Sequence, residues 1–355
     1  MHDDNIEGED REPYSEDSES ESSLTEHERK LDSDLFNETE AGEQGADSFD
    51  RELQRSLAET EKQVLQFDSG NQELQERGWS IARKEIEKFK PVPWFIWRLN
   101  NYVFTSSSGH TNLPEGLVLG MRKLLCRAAG DRFIGVGREV HTTRKALEIL
   151  TPDLVAAICV VHAVCRRMKN MQFERIWGPI LDDALLRAQL GYVVGDKNDE
   201  FGPGRGMLAG FAGRAGLAIL IAGGDLEQAR ESLELLATGT QISKVGFKLY
   251  GCDPLQVSAM LLSASGCGRD AAFGTVGYSS ITPGSLAAHL QVENEAQFSW
   301  LSAFAITELL RVGKDSMIDE RFWLSMKHAD QQSRSETLEM CTSLLHKGHG
   351  LGWMC

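Results

Sequence analysis

The sequence predicts an all-α fold, and three observations carry the prediction. Apolar residues recur three and four positions apart along most segments from about residue 49 onward. Helix-starting signatures recur as well: a capping side chain, a proline at the first helical position, or a glutamine at the third. Alternation of period two is absent over any useful length. At 355 residues and 41% hydrophobic, the chain is long enough for two or so compact units.

Residues 1–50 hold 19 Asp and Glu against 3 Lys and Arg, so the formal charge of -16 resides there. The remaining 305 residues carry 34 charges of each sign. A stretch of Glu, Asp and Ser has too few apolar side chains to offset the entropy of ordering the chain, and a disordered acidic tail is expected. Its role is either solvation, an arm for a basic partner, or a phosphorylation target around Ser15 and Ser18. Residues 51–91 follow as a helical connector, with Leu53, Leu57, Val64 and Leu65 in one stripe and Trp79, Ile86 and Phe89 after Gly70. Two short heptads do not make a coiled coil, so the connector is expected to dock on the body. The turn Pro91-Val92-Pro93 closes it.

The body begins at about residue 92. Thr151 and Pro152 open a helix through Val155, Ile158, Cys159 and His162 that ends in Arg166, Arg167 and Lys169, where the helix dipole favours cations. A second stripe runs through Phe173, Ile176, Trp177, Ile180, Leu181 and Ala184. Asp225 with Gln228 makes a capping box for a helix that stops near Gly239, and Asp253-Pro254-Leu255-Gln256 places cap, proline and glutamine in one run. Asn294 with Gln297 starts another helix, through Phe298, Leu301 and Leu309 to Gly313. Residues 286–355 form a helical extension whose apolar end, Leu351 to Cys355, is expected to dock on the body.

Composition narrows the function. The part after residue 50 has no basic excess, hence no electrostatic footprint for nucleic acid. The acidic start lacks the apolar run of a signal peptide. Met207 to Ala222 is apolar but short of a membrane span and interrupted by Arg214 and glycines, so a buried helix is expected. Seven cysteines, at 126, 159, 165, 252, 267, 341 and 355, show no paired metal spacing. Reduced thiols in a cytoplasmic protein are expected.

Few residues offer chemistry. His162 lies between Cys159 and Cys165 on one helix face, but no second ligand pair stands at zinc-site spacing, so a buried, hydrogen-bonded histidine is expected. Gly202-Pro203-Gly204-Arg205-Gly206 precedes a helix whose N-terminal amides would cradle a phosphate, which makes Gly204, Arg205, Gly206 and Arg214 candidate ligand-binding residues. The run follows no strand and lacks the Lys-Ser/Thr ending of a P-loop. As a plain loop it leads into a helix that Gly206, Gly210 and Gly213 would let approach a neighbour closely. Asp182 and Asp183 are adjacent on a helix, point in different directions and cannot share a proton. No Gly-x-Ser-x-Gly elbow is present, and no Cys has a nearby His with an orienting acid.

Met121 to Phe133, Gly135 to Val140 and Ala146 to Leu150 read as a helix, a small-residue turn and a second helix. Phe173 to Ala184, Met207 to Leu220, Tyr250 to Leu262 and Thr275 to Pro283 then follow in order. As one ordered set, covering about 92–285, these segments resemble the HDOD family, the metal-dependent-hydrolase-related output domain of bacterial signalling proteins. The related HD hydrolases place histidines and aspartates on facing helices to hold metals that activate water. Aligned with them, Pro179 stands at the first histidine, Gly210 and Phe211 replace His-Asp, Pro254 replaces the histidine after Asp253, and Ser279 and Ser280 replace the final pair. Only Asp253 matches, and helix capping explains it. The resemblance implies an HD-like multi-helix domain with no metal, no cofactor and no catalysis. It further implies a cytoplasmic signalling protein acting on a protein partner, not on nucleic acid or membrane. Two alternatives remain open: an HD-type phosphohydrolase dependent on Asp253, and a nucleotide-sensing module using Gly204, Arg205, Gly206 and Arg214.

Overall fold

Capping chemistry written in the sequence sets many of the helix boundaries. In a computed structural model, which describes residues 43–67, 72–105, 113, 116, 118–281 and 292–355, every regular element among the described residues is helical. The expectation for residues 1–42 lies outside the described residues. The helices are α1 (Glu43–Phe67), α2 (Gln72–Phe89), α3 (Trp94–Thr105), α4 (Arg122–Gly130), α5 (Thr143–Ile149), α6 (Pro152–Lys169) and α7 (Glu174–Gly195). They continue with α8 (Pro203–Gly223), α9 (Leu226–Ala237), α10 (Ile242–Tyr250), α11 (Pro254–Ala264) and α12 (Arg269–Ile281). The last three are α13 (Glu295–Arg311), α14 (Glu320–Ser325) and α15 (Gln331–Lys347).

The predicted caps form. Asp225 Oδ1 accepts the Gln228 N–H at 2.8 Å while Gln228 Oε1 accepts the Asp225 N–H at 3.1 Å, opening α9. Asp253 and Gln256 repeat the box on α11, and Asn294 Oδ1 accepts the Gln297 N–H at 2.9 Å on α13. Each such cap satisfies backbone donors that the first helical turn leaves open, a gain of about 1 kcal/mol. Thr151 stands at the cap position of α6 without a side-chain bond, so Pro152 does the starting there.

The connector departs from its expected start. Helix α1 already runs from Glu43 and crosses residue 50 without a break. Tertiary contacts hold that stretch in place: Lys90 Nζ meets Asp50 Oδ2 at 2.9 Å, and the Phe49 ring stands edge-on to Trp97. Docking on the body is as expected. Leu53, Leu57, Val64, Trp79 and Ile86 are buried, and Thr60 Oγ1 lies 2.7 Å from Ser263 Oγ on α11. One hydrophobic core runs from Leu53 in α1 to Met354 at the chain end, so connector, body and extension are packed together.

Helix α8 is the axis of this core. Helices α6, α7, α11 and α13 all pack on it. Running from Pro203 to Gly223, it is longer than the apolar stretch expected and is long and apolar enough to cross a membrane; its burial is as expected of a core helix, with 89% of its most apolar window inside the protein. Helix α7 runs antiparallel to it in backbone contact. A Cβ on Gly206 would strike the Gly191 carbonyl, and one on Gly210 would strike the Arg187 carbonyl. Glycine is what permits this approach, and side chains of any size would separate the two helices.

The extension closes the other side through His328, which is fully buried. Its Nε2 lies 3.2 Å from the Val194 carbonyl of α7, and its Nδ1 lies 3.0 Å from Ser333 Oγ of α15. A neutral ring with Nε2–H donating satisfies both. Burial, the largest cause, holds the His328 pKa below its ordinary value. The unfolded chain therefore binds the proton more readily, and stability is lost as pH falls through the ordinary histidine range. Urea midpoints across this range are expected to fall on the acid side, and His328→Gln is expected to flatten that dependence; an equal acid slope in both chains would remove His328 as its cause.

Candidate functional site

The α7–α8–α11 seam is where the resemblance would put chemistry. Ser258 Oγ of α11 donates to the Ala212 carbonyl at 2.6 Å and accepts the Gly216 N–H at 3.1 Å. A Cβ on Gly216 would strike the Pro254 carbonyl. The three helices thus converge, but the aligned positions do not share one level. Arg187 faces Gly210, and Pro179 lies eight residues further along α7, about 12 Å at 1.5 Å per residue. Phe211 is a fully buried core side chain, and Pro254 packs against Gly246. Asp253 is fully buried, with Oδ1 accepting the Leu255 N–H at 2.8 Å, and its partner Gln256 donates onward to Gln75 at 3.0 Å. Ser279 and Ser280 fall in the last turn of α12, and their side chains lie outside the described residues. Among the described residues no group of three His, Cys, Asp or Glu is placed to hold a metal ion.

The four candidate ligand residues are distributed over different surroundings. At the start of α8, the Gly204 N–H donates to Asp153 Oδ2 at 2.6 Å, so a carboxylate from α6 already stands where an anion would sit. Gly206 is pressed on Gly191. Arg214 is drawn into an ion cluster, described next. Arg205 alone faces an open space, a cavity of about 700 Å³ also lined by Phe201, Trp300, Cys267, Arg269 and Lys327. Its Nη1 donates to the Phe201 carbonyl at 2.8 Å and its guanidinium stacks over the Phe104 ring.

The cluster joins α7, α8 and α13. Asp183 takes Arg187 Nε at 2.9 Å, Arg214 Nε at 3.3 Å and Arg311 Nε at 2.6 Å. Glu308 pairs with Arg187 and, at 3.5 Å, with Arg214. Gly213 makes room for it, since a Cβ there would meet the Glu308 carboxylate. Arg187 is 2% exposed, a buried charge that only such pairing makes tolerable. Burial pushes the Asp183 carboxyl up, but Arg187, Arg214 and Arg311 together outweigh it and hold it below its ordinary value. Asp182 is exposed, so the adjacent carboxylates do diverge.

The chain end corrects one expectation. Cys165 and Cys355 form a disulfide across 190 residues, with Cα atoms 5.0 Å apart, so two of the seven cysteines are not reduced thiols here. Sequence spacing cannot reveal this pairing, because burial of Leu351 and Met354 is what brings the last residue to α6. His162 is half-buried and its Nδ1 lies 2.6 Å from the Met354 carbonyl, a structural contact beside the end of the chain. Cys159 is fully buried, which pushes its thiol up to about 12 and makes it a poor nucleophile.

Sequence reasoning did not single out Arg187, Glu308 or Arg311, nor Asp153 as the occupant of the α8 terminus. Asp183 and Arg187 stand four apart on one helix, a pattern that signals an ion pair but not its burial. Removing one member of a buried cluster leaves its partners unpaired. Arg187→Ala is therefore expected to cost about 3–5 kcal/mol of unfolding free energy in urea at neutral pH. A cost below about 1 kcal/mol would mean that water already serves these groups.

No protein-family model, characterised protein or solved structure matches this chain, and the role of its site is read from the geometry above.

Proposed function

We propose that this chain is a non-catalytic regulatory protein that works by presenting a rigid helical surface to a protein partner. The observation that carries the reading is the filling of the α7–α8–α11 seam. Backbone lies on backbone there, Ser258 bonds to the α8 backbone, and Asp253 is committed to starting α11. Side chains occupied in this way hold the helices together and leave the exterior as the working surface. The resemblance to HDOD output domains points the same way and makes a signalling setting part of the proposal; a cytoplasmic location, also part of it, rests on that resemblance and not on the cysteines, two of which are paired.

Two other readings stay in view. A hydrolase would need Asp253 as a ligand. A nucleotide-sensing module has Arg205 in its favour: the guanidinium has no carboxylate within ion-pair distance among the described residues, and it lines the 700 Å³ cavity beside Trp300.

Asn caps helices about as well as Asp, so Asp253→Asn keeps α11. Supplied with Mn²⁺, Fe²⁺ or Zn²⁺, the purified chain is expected to cleave neither p-nitrophenyl phosphate nor its bis-ester above the metal-only rate. Metal-dependent turnover lost in Asp253→Asn would establish the hydrolase instead. Thermal unfolding is expected to stay flat across cyclic and linear nucleotides, and an upward shift abolished by Arg205→Ala would favour the nucleotide reading. Stoichiometric co-purification of one host protein is the expected positive result.

A further inference from the structure

The balance of 34 charges of each sign after residue 50 conceals a strong local asymmetry. Between residues 119 and 169 the chain has ten Lys and Arg against four Asp and Glu. The structure gathers these cations on one side, around α4, the loop 131–141 and the end of α6. Arg122, Lys123, Arg127, Arg132, Arg138, Arg166 and Lys169 are all exposed.

Two adjoining hollows mark this face. One, of about 240 Å³, is lined by Lys123, Arg127, His162, Arg166 and Trp353. The next, of about 550 Å³, is lined by Arg127, Arg132, Arg138, Glu139 and His141. Arg127 belongs to both, so the basic surface is continuous. Among the described residues Glu139 is the one side-chain carboxylate lining either hollow, and it stands 3.7 Å from His141. The other three acids of the segment are engaged elsewhere. Asp131 accepts the Phe133 and Ile134 N–H groups and the Trp353 indole, Glu148 meets Lys145 at 2.9 Å, and Asp153 caps α8.

We propose that the acidic segment ahead of α1, residues 1–42, docks by charge on this basic face and shields it from external polyanions. Those residues hold 16 Asp and Glu against 3 Lys and Arg. The structure also delivers them to the right place. Asp50, seven residues into α1 and so about 10 Å from its first residue, pairs with Lys90, and the Lys90 carbonyl accepts Arg167 Nε at 2.9 Å, so α1 passes close to the basic end of α6. A segment of 42 residues spans up to about 140 Å when extended, far more than the face requires. Tethering raises its effective concentration to the order of millimolar, which lets many weak, screened contacts hold it against an untethered competitor. The inference does not depend on the proposed protein partner.

Zero-length carbodiimide cross-linking of the full chain at low salt is expected to join carboxylates of residues 1–42 to Lys123 and Lys169. The links are expected to vanish at about 0.5 M salt, where screening is short-ranged. A full-length variant with all sixteen acids changed to Asn or Gln is expected to bind a short DNA duplex, used as a probe polyanion, at least about tenfold more tightly than the parent. Adding Arg127→Ser and Arg166→Ser to it is expected to reverse that gain. Absence of the links, links insensitive to salt, or equal duplex affinity of parent and neutralised chain would each overturn the proposal. Equal and tight binding would assign the face to nucleic acid. Circular dichroism and urea midpoints check that every variant folds.

Discussion

The backbone contact between α7 and α8 is the constraint from which most of the structure follows. Gly191, Gly206 and Gly210 remove the side chains that would hold two helices 8–10 Å apart, and the carbonyls of Gly191, Gly206 and Arg187 take up the space. Once the two axes are this close, α8 is enclosed. Helices α6, α11 and α13 cover its remaining faces, and an apolar stretch that resembles a membrane span becomes the core of a helical protein. Overpacking by even one methyl group in such a seam typically costs about 1–3 kcal/mol, so the spacing of the glycines specifies the packing.

Enclosure leaves buried polar groups in need of partners, and around α8 the neighbouring helices supply them. The start of α8 exposes unpaired N–H groups in the interior, and Asp153 from α6 supplies the acceptor. Arg187, carried inward on α7, is met by Asp183 and Glu308, while Arg214 and Arg311 complete the charge pattern. Asp253 is used in the same way, as the cap of α11. Polar residues that looked available for chemistry in the sequence are thus engaged in making a glycine-packed interior tolerable. That occupancy supports the proposed reading, in which the work of this protein falls to its outside.

On the outside, charge is segregated. The chain end seals α6 through the Cys165–Cys355 disulfide, the His162 contact to Met354 and the bond from the Trp353 indole to Asp131. Around that seal lies the basic face, while residues 1–42 carry a net charge of -13 of their own. The neutral sum over the rest of the chain hides this arrangement, because averaging discards position. A window of about fifty residues would have revealed it from the sequence alone.

The sequence by itself determined the helices. Periodicity and capping chemistry are local, acting within three or four residues, so Asp225, Asp253 and Asn294 announced their helices and the structure places them as caps. The glycines of α8 likewise announced a close neighbour. Which neighbour, and at what register, only the tertiary structure decided, and that register separates Pro179 from Gly210 along the seam. The same holds for the ion cluster, the disulfide and the carboxylate at the α8 terminus. Each depends on a pairing across distant helices, Gly204 to Asp153, Arg187 to Glu308 and Cys165 to Cys355, and no local pattern encodes a pairing that exists only after the helices have packed.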